Sequence, residues 1–447
     1  MFDLTNSTFS YSWATSLFGL QQVVNLITPE SLRAPTRKVN AAFYPVTQTT
    51  ENQFGDLLFA AYLIGDDTQR ALAQLAYDML TFRAFTPGYV ANVTSAVVQQ
   101  SETTFNTFSS PKNISLAWQE LRNNFEVFNL VKNVGQLLHI PAGTEQFDLL
   151  KLVDQAYALG QFSDLWAVEG LGHDYTMTFW NGGKPLHGIM YEGQAAALPD
   201  KSLTMMHAGM GLAFAEQLMN TVTPYSSPTE IRGVLQKFVT LVKQNARPGY
   251  AGASYESLGL VTRFWHQQMV PFVNQFMPDV DQEAVSFFWH GVGRALYFYP
   301  LFFVPGLLSP WLAVEREPPD EMARLNMVAG LTWAMTLVNA RQPEIMEKFI
   351  TGAGASESKD PGFTNGVMSS LIMGIDTTPG DVYIIGFAEY KPPDPSTAAI
   401  WNQRVGDPAK DAIYRIHPIL KKHHRLGDVF HFTDLTALAD RLERGGR

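Results

Sequence analysis

A mainly α-helical fold of repeated multi-helix modules, array- or solenoid-like, with a small α/β appendage at the C-terminal end, is what this 447-residue sequence predicts. Three observations carry the prediction. Apolar residues fall at helical spacing behind recognisable caps, Gly-x-Gly landmarks recur with a common offset, and Pro-Gly pairs punctuate the chain.

The clearest helix is "SSPTEIRGVLQKFVTLVKQNARPGY". Ser227 can cap, Pro228 suits the first helical position, and Glu230 can reach back to the cap's free amide. Ile231, Val234, Leu235, Phe238, Leu241 and Val242 then share one face, with Lys237 and Lys243 off it. "PEIMEKFITG", Pro343 to Gly352, follows the same grammar in miniature. Further helices are predicted in Glu51–Ile64, Thr68–Phe85, Ser115–Leu137, Lys201–Asn220 and Asp320–Asn339.

The repeat rests on spacing. From Gly170 to Gly209 is 39 positions, as is the distance from Gly291 to Gly330, and Met206, Ala208 and Ala213 match Met327, Ala329 and Ala334 at the same offset. Small residues four apart lie on one helix face and let another helix approach closely. "RPGY" at 247–250 and "DPGF" at 360–363 mark turns, with "TPGY" at 86–89 as a third copy. These landmarks divide the chain into an N-terminal arm (1–50), a helical module that reads as a divergent first repeat (51–160), and two helical repeats (161–260 and 261–375). A C-terminal appendage (376–447) follows. Within it "DVYIIGFAEY", Asp381 to Tyr390, is β-branched and aromatic and reads as a strand, "KPPDPS" as a linker, and "TDLTALADRLERG" as a closing helix.

Composition narrows the function classes. Charged residues make up 17% and aromatics 12%, so much surface is expected to be buried, within the chain or between subunits. The net charge of −10, with scattered Lys and Arg, argues against nucleic acid, which needs a basic stripe. The absence of cysteine removes disulfides, thiolate catalysis and Cys-ligated metals. The first thirty residues lack a basic start followed by a clean apolar run, so a cytoplasmic location is the expectation.

Candidate chemistry lies in the polar residues beside the small-residue landmarks. Glu169, His173 and Asp174 flank the first Gly-x-Gly, His290 and Arg294 flank the second, and His187, Glu192 and His207 lie between. Buried and paired, carboxylate and imidazole groups can transfer protons, so Glu169, His173, His207 and His290 are the candidate catalytic residues. The competing reading, which we prefer, is that they are satisfied polar groups tying helix to helix. "GVGRAL" is not a dinucleotide fingerprint, because Leu296 stands where a small residue is needed and no βαβ unit surrounds it. The tail "IHPILKKHHRLGDVFHF" reads as a solvated face, since Lys421, Lys422 and Arg425 would repel a metal dication. We assign no metal site, and no cofactor is identifiable.

Twenty residues between Arg294 and Glu315 carry no charge, the length of a membrane span, but prolines at 300, 305 and 310 would break such a helix repeatedly. No transmembrane span is expected. The stretch is instead an apolar loop, folded over its own helices or pressed on another subunit, with Phe302, Phe303, Leu307 and Trp311 as anchors.

"FFWHGVGRALYF", followed by the helix of Gly330 and Ala334, resembles the "QGLGRALWF … SGVGLA" pattern of the UnbL-type family, bacterial proteins that accompany enediyne-type polyketide gene clusters. "RPGYAGASYESLGLV" is similar to the family's "GFAYEGAAMGLAL" segment, with Gly249, Tyr255, Glu256 and Gly259 as the matches. The likeness covers about 165–375. Trp289-His290 departs from it, standing where the family tends to carry an amide or acid. What the resemblance implies is a role in specialised biosynthesis rather than a reaction.

The expectation is therefore an accessory or ligand-binding protein of a bacterial specialised pathway, holding an apolar small molecule or a protein partner. Arg294, Glu256, Phe302, Phe303 and Trp311 are the contact residues, and the protein is expected to be a homo-oligomer or part of an assembly. Two alternatives stand beside it. One is an isomerase, lyase or oxidoreductase using a buried His/Glu cluster, and the other is a structural subunit.

Overall fold

The computed structural model describes residues 112–140, 147–298, 310–352 and 354–445, and among them there are helices and no strand. The arm at 1–50, the predicted helices Glu51–Ile64 and Thr68–Phe85, the "TPGY" marker, and Phe302, Phe303 and Leu307 lie outside the described residues. The predicted Ser115–Leu137 helix is split into α1 (Lys112–Lys132) and α2 (Val134–Leu137). After α3 (Leu149–Ala158) come α4 (Ser163–Asn181), α5 (Leu203–Met219), α6 (Pro228–Asn245), α7 (Ala251–Trp265), α8 (Val270–Val280) and α9 (Ala284–Phe298). The chain continues with α10 (Pro310–Arg316), α11 (Glu321–Val338), α12 (Pro343–Thr351) and α13 (Pro361–Thr377).

Helix α6 forms as its sequence demands. Ser227 Oγ accepts from the Glu230 amide at 3.3 Å, and Glu230 Oε2 accepts from the Ser227 amide at 2.7 Å. Its face of Ile231, Leu235, Phe238 and Val242 is buried while the opposite face meets water. Helices α5 and α11 differ in kind. Every residue from Leu203 to Ala215, and from Asn326 to Val338, is buried. A helix with no solvated face belongs to the interior, so amphipathic period alone does not mark it.

Six helices form the body, each packed on the next in the order α4, α5, α7, α9, α11, α13. The row curls rather than lying flat. Trp166 of α4 meets Trp333 of α11 edge to face, ring centroids 6.4 Å apart, and Thr204 of α5 donates to Asp376 of α13 at 2.9 Å.

The packing is backbone on backbone. A Cβ on Gly209 would lie 2.0 Å from the Glu169 carbonyl oxygen and 2.5 Å from the His173 nitrogen. A Cβ on Gly330 would lie 1.9 Å from the His290 oxygen and 2.9 Å from the Arg294 nitrogen. Facing them, Gly172 sits against the Met206 carbonyl and Gly293 against that of Met327. Each contact in the α4–α5 pair thus has its counterpart 121 positions later in the α9–α11 pair (290 − 169, 330 − 209). The Pro-Gly markers do not correspond in the same way. Gly249 is a turn residue at φ +88°, whereas Gly362 lies inside α13, its amide held by the Asp360 carboxylate at 2.8 Å.

The C-terminal segment corrects the sequence reading. Residues 382–388, expected as a strand, are helix α14 (Val382–Ala388). Asp381 Oδ1 accepts from the amides of Tyr383 and Ile384 at 2.7 and 3.3 Å, and Ile384, Phe387 and Ala388 share the buried face. A cap and a helical apolar face override β-branched composition, which favours a strand only where a sheet offers a pleated surface. "KPPDPS" likewise is no linker, because Asp394 caps α15 (Pro395–Trp401) and Pro395 is its first residue. α16 (Asp407–Asp411), α17 (His417–Lys422) and α18 (Leu435–Glu443) complete an all-helical appendage. The His-rich tail is solvated only in part. His417 and Lys421 reach buried Asp376 at 3.1 and 2.7 Å, while His423 and His424 are exposed.

Gly209→Ala and Gly330→Ala should each destabilise by more than the ~1–3 kcal/mol of ordinary overpacking, because a carbonyl oxygen rather than a movable side chain blocks the methyl. Gly233→Ala, on an exposed turn of α6 with open space around it, should instead stabilise by up to ~1 kcal/mol. Thermal unfolding of the three variants checks this, and equal midpoints for all would show that these helices do not touch at the glycines.

Candidate functional site

Arg294 is the centre of the polar chemistry. It projects from α9, 2% exposed, one turn beyond His290. Its Nη2 donates to both carboxylate oxygens of Glu169 on α4, at 2.7 and 3.0 Å, and its Nη1 donates to Glu256 on α7 at 3.0 Å. Glu256 also accepts from His290 Nδ1 at 3.2 Å. The guanidinium lies over the face of Trp333, 4.5 Å from the ring centroid. Three helices are thereby tied through one cation, and α11 covers it.

Burial and pairing pull these groups in opposite directions. Burial raises the Glu169 carboxyl above its ordinary range against the pull of Arg294, and the neighbouring Glu256 charge raises it further. Burial also pushes Glu256 up, but Arg294 and His290 together outweigh it and hold that carboxyl below its ordinary range. Several donors of the cluster, Arg294 Nε and Trp333 Nε1 among them, have no acceptor among the described residues.

Beside the cluster opens an apolar cleft between α1, α4, α5, α7 and α9. Its volume is about 60 Å³, and Phe128, Trp166, Phe264, Trp265 and Phe298 are among the residues of its wall. Phe128 and Phe264 pack with ring centroids 5.4 Å apart, and Trp265 is 42% exposed at the opening. Two ion pairs also belong to the lining, Glu169 with Arg294 and Lys132 with Glu216. This second pair is itself neutralised. Lys132 of α1 bonds Glu216 of α5, and His173 Nε2 meets the other Glu216 oxygen at 3.1 Å while its Nδ1 faces Asp174 at 3.0 Å. Burial opposes the charge on Glu216, yet His173 and Lys132 bring its carboxyl down to about 2. Burial opposes the charge on His173 too, and Asp174 and Glu216 overcome it, so its pKa rises.

The candidate residues do not all converge. Glu169, Glu256, His290 and Arg294 form one connected cluster, with only Glu169 and Arg294 on the cleft. His173 stands apart from it on Glu216. His207 is elsewhere again, stacked on Tyr250 with its Nδ1–H donating to the Leu203 carbonyl at 2.6 Å and its Nε2 accepting from the Arg247 amide at 2.9 Å. Both ring nitrogens are used by backbone, so His207 locks the α6–α7 turn onto α5. His187 and Glu192 form a surface pair at 3.3 Å, both more than half exposed. Trp311 is stacked on Phe349, centroids 5.2 Å apart, inside the chain's own packing. Lys132, Glu216 and Trp333 went unrecognised in the sequence. Lys132 and Glu216 are 84 positions apart, and no local pattern announces such a pairing.

No protein-family model, no curated protein and no solved structure matches the chain.

Removing the guanidinium strands two buried carboxylates. Arg294→Met should destabilise by about 3–5 kcal/mol, as for other broken buried pairs, whereas Glu192→Gln at the surface should be silent. Denaturant unfolding reads both. His207 provides a pH test. Burial lowers its pKa to about 4 from the 6.5 of an unfolded chain, so the unfolded state binds the extra proton first as pH falls. Its contribution to stability is full above 6.5 and is lost progressively down to about 4. The slope of stability against pH between those values should flatten in His207→Gln, and an unchanged slope would show that the ring is not held neutral.

Proposed function

We propose that the protein is a ligand-binding accessory protein, holding an apolar small molecule in the cleft between α1, α4, α5, α7 and α9. The observation that carries this reading is the division of labour around the cleft. Among the described residues, the ionised groups on its lining are paired with one another, while the remaining wall is aromatic and aliphatic. Such a site supplies apolar contact and shape rather than chemistry. Its volume of about 60 Å³ has room for roughly four to six waters, about the space of one six-membered ring. The ligand is therefore ring-sized, or presents a ring-sized end while the rest of it lies outside. A place in bacterial specialised biosynthesis rests on the segments that resemble the UnbL-type family, and a cytoplasmic, oligomeric state is proposed with it.

Enzymatic activity of isomerase, lyase or oxidoreductase type is the second reading. One observation favours it: the Glu169 carboxyl, raised by burial, lies on the cleft, where it could give or take a proton. Its two oxygens are already held by Arg294, which makes it a worse proton carrier than binding-site wall.

Native mass spectrometry of the protein from its own organism should reveal a retained apolar molecule, and Leu260→Trp, which fills the cleft from a half-buried position, should abolish it. Under the enzyme reading, Glu169→Gln would retain that molecule and abolish the pathway product. Absence of any retained mass in the unmodified protein, with unchanged product in the Leu260→Trp strain, would overturn both.

A further inference from the structure

The charges that line the cleft determine what it can hold. The Arg294 guanidinium, 2% exposed, donates from its two terminal nitrogens to Glu169 and Glu256. Lys132 is bonded to Glu216, which His173 also bonds. Among the described residues the cleft thus presents two cations and two anions, each ion-paired. An anionic ligand would gain full attraction from Lys132 or Arg294 only by displacing a carboxylate into an apolar, half-buried setting. A cationic ligand would have to displace Lys132 or Arg294 from its carboxylate. Breaking the buried Arg294 pair leaves a desolvated charge without a partner, which is strongly unfavourable, whereas the partly exposed Lys132–Glu216 pair sets a smaller penalty, the loss of its direct ion pairing. Neither penalty applies to an uncharged body.

We propose, resting on the reading of the cleft as a binding site, that its ligand is an electrically neutral ring-sized molecule or ring-sized end, and that the Lys132–Glu216 pair is the element that excludes anions. The aromatic wall fits this chemistry. Phe128 packs on Phe264 and Phe264 on Trp265 in the lining, with Leu212, Leu260 and Val261 among its aliphatic members.

The test uses three probes with one body and different charge: p-cresol, p-toluate and p-methylbenzylammonium, titrated at neutral pH and read by saturation-transfer NMR. Only signal lost in Leu260→Trp, or in Val131→Phe should the first variant fold poorly, counts as binding in the cleft. The expected result is that p-cresol binds at least about tenfold more tightly than either ion. In Glu216→Gln, which leaves Lys132 without its carboxylate, p-toluate should gain about tenfold relative to p-cresol. If p-toluate or the ammonium binds the unmodified protein as well as p-cresol does, the neutrality proposal fails and the binding reading stands. The neutrality proposal fails in the same way if Glu216→Gln leaves the ranking of the probes unchanged. If none of the three gives cleft-dependent signal, the binding reading itself fails, and the neutrality proposal with it.

Discussion

The contact between a glycine of one helix and a peptide carbonyl of the next is the constraint on which the rest depends. At Gly209 and Gly330 the two backbones are so close that a single methyl group would overlap a carbonyl oxygen. That approach brings α4 to α5 and α9 to α11 at less than ordinary side-chain separation, and it leaves little freedom in how the row of helices curls. The curl in turn brings α4, α7 and α9 around one point. Arg294 can reach Glu169 and Glu256 together because the helices carrying them are set by glycine contacts.

A buried ion cluster is a poor source of net stability, since each charge gives up its water. Its value is in specificity. The Arg294 cluster admits one arrangement of α4, α7 and α9, because any other strands a carboxylate or a guanidinium in the apolar interior. The corresponding contacts in the two helix pairs sharpen the point. Glu169 and His173 in one pair stand where His290 and Arg294 stand in the other, 121 positions on. Equivalent backbone positions thus carry different polar groups, and only one of the two pairs supplies the central cation. A duplicated scaffold whose copies have diverged at the polar positions would have this form.

The cleft inherits its character from the same geometry. It lies where α1 closes over the row, and its charged lining residues among the described residues belong to two ion-paired networks. A wall of this kind holds a guest by exclusion of water and by shape. Proton chemistry would require Glu169 to leave its bidentate partner, and His290, the nearest imidazole in the network, is separated from the cleft by Glu256 and Arg294.

What the sequence by itself determined is the local grammar. The Ser227–Glu230 capping box and the Pro343 start follow from signals that act over one or two helical turns, and the spans of α5 and α11 are legible to within two residues. The close contacts at Gly209 and Gly330 were also legible, because small residues four apart matter only where a second helix comes near. Tertiary structure decided the rest. Whether "DVYIIGFAEY" pairs as a strand or coils as a helix depends on what it packs against, and its buried face is offered by other helices rather than by a sheet. Which carboxylates Arg294 takes, 38 and 125 positions away, and that His207 accepts from the Arg247 amide 40 positions on, depend on contacts that only the fold makes. Charge pairing over such separations is set by where the folded helices place the groups, and a linear pattern carries no record of it.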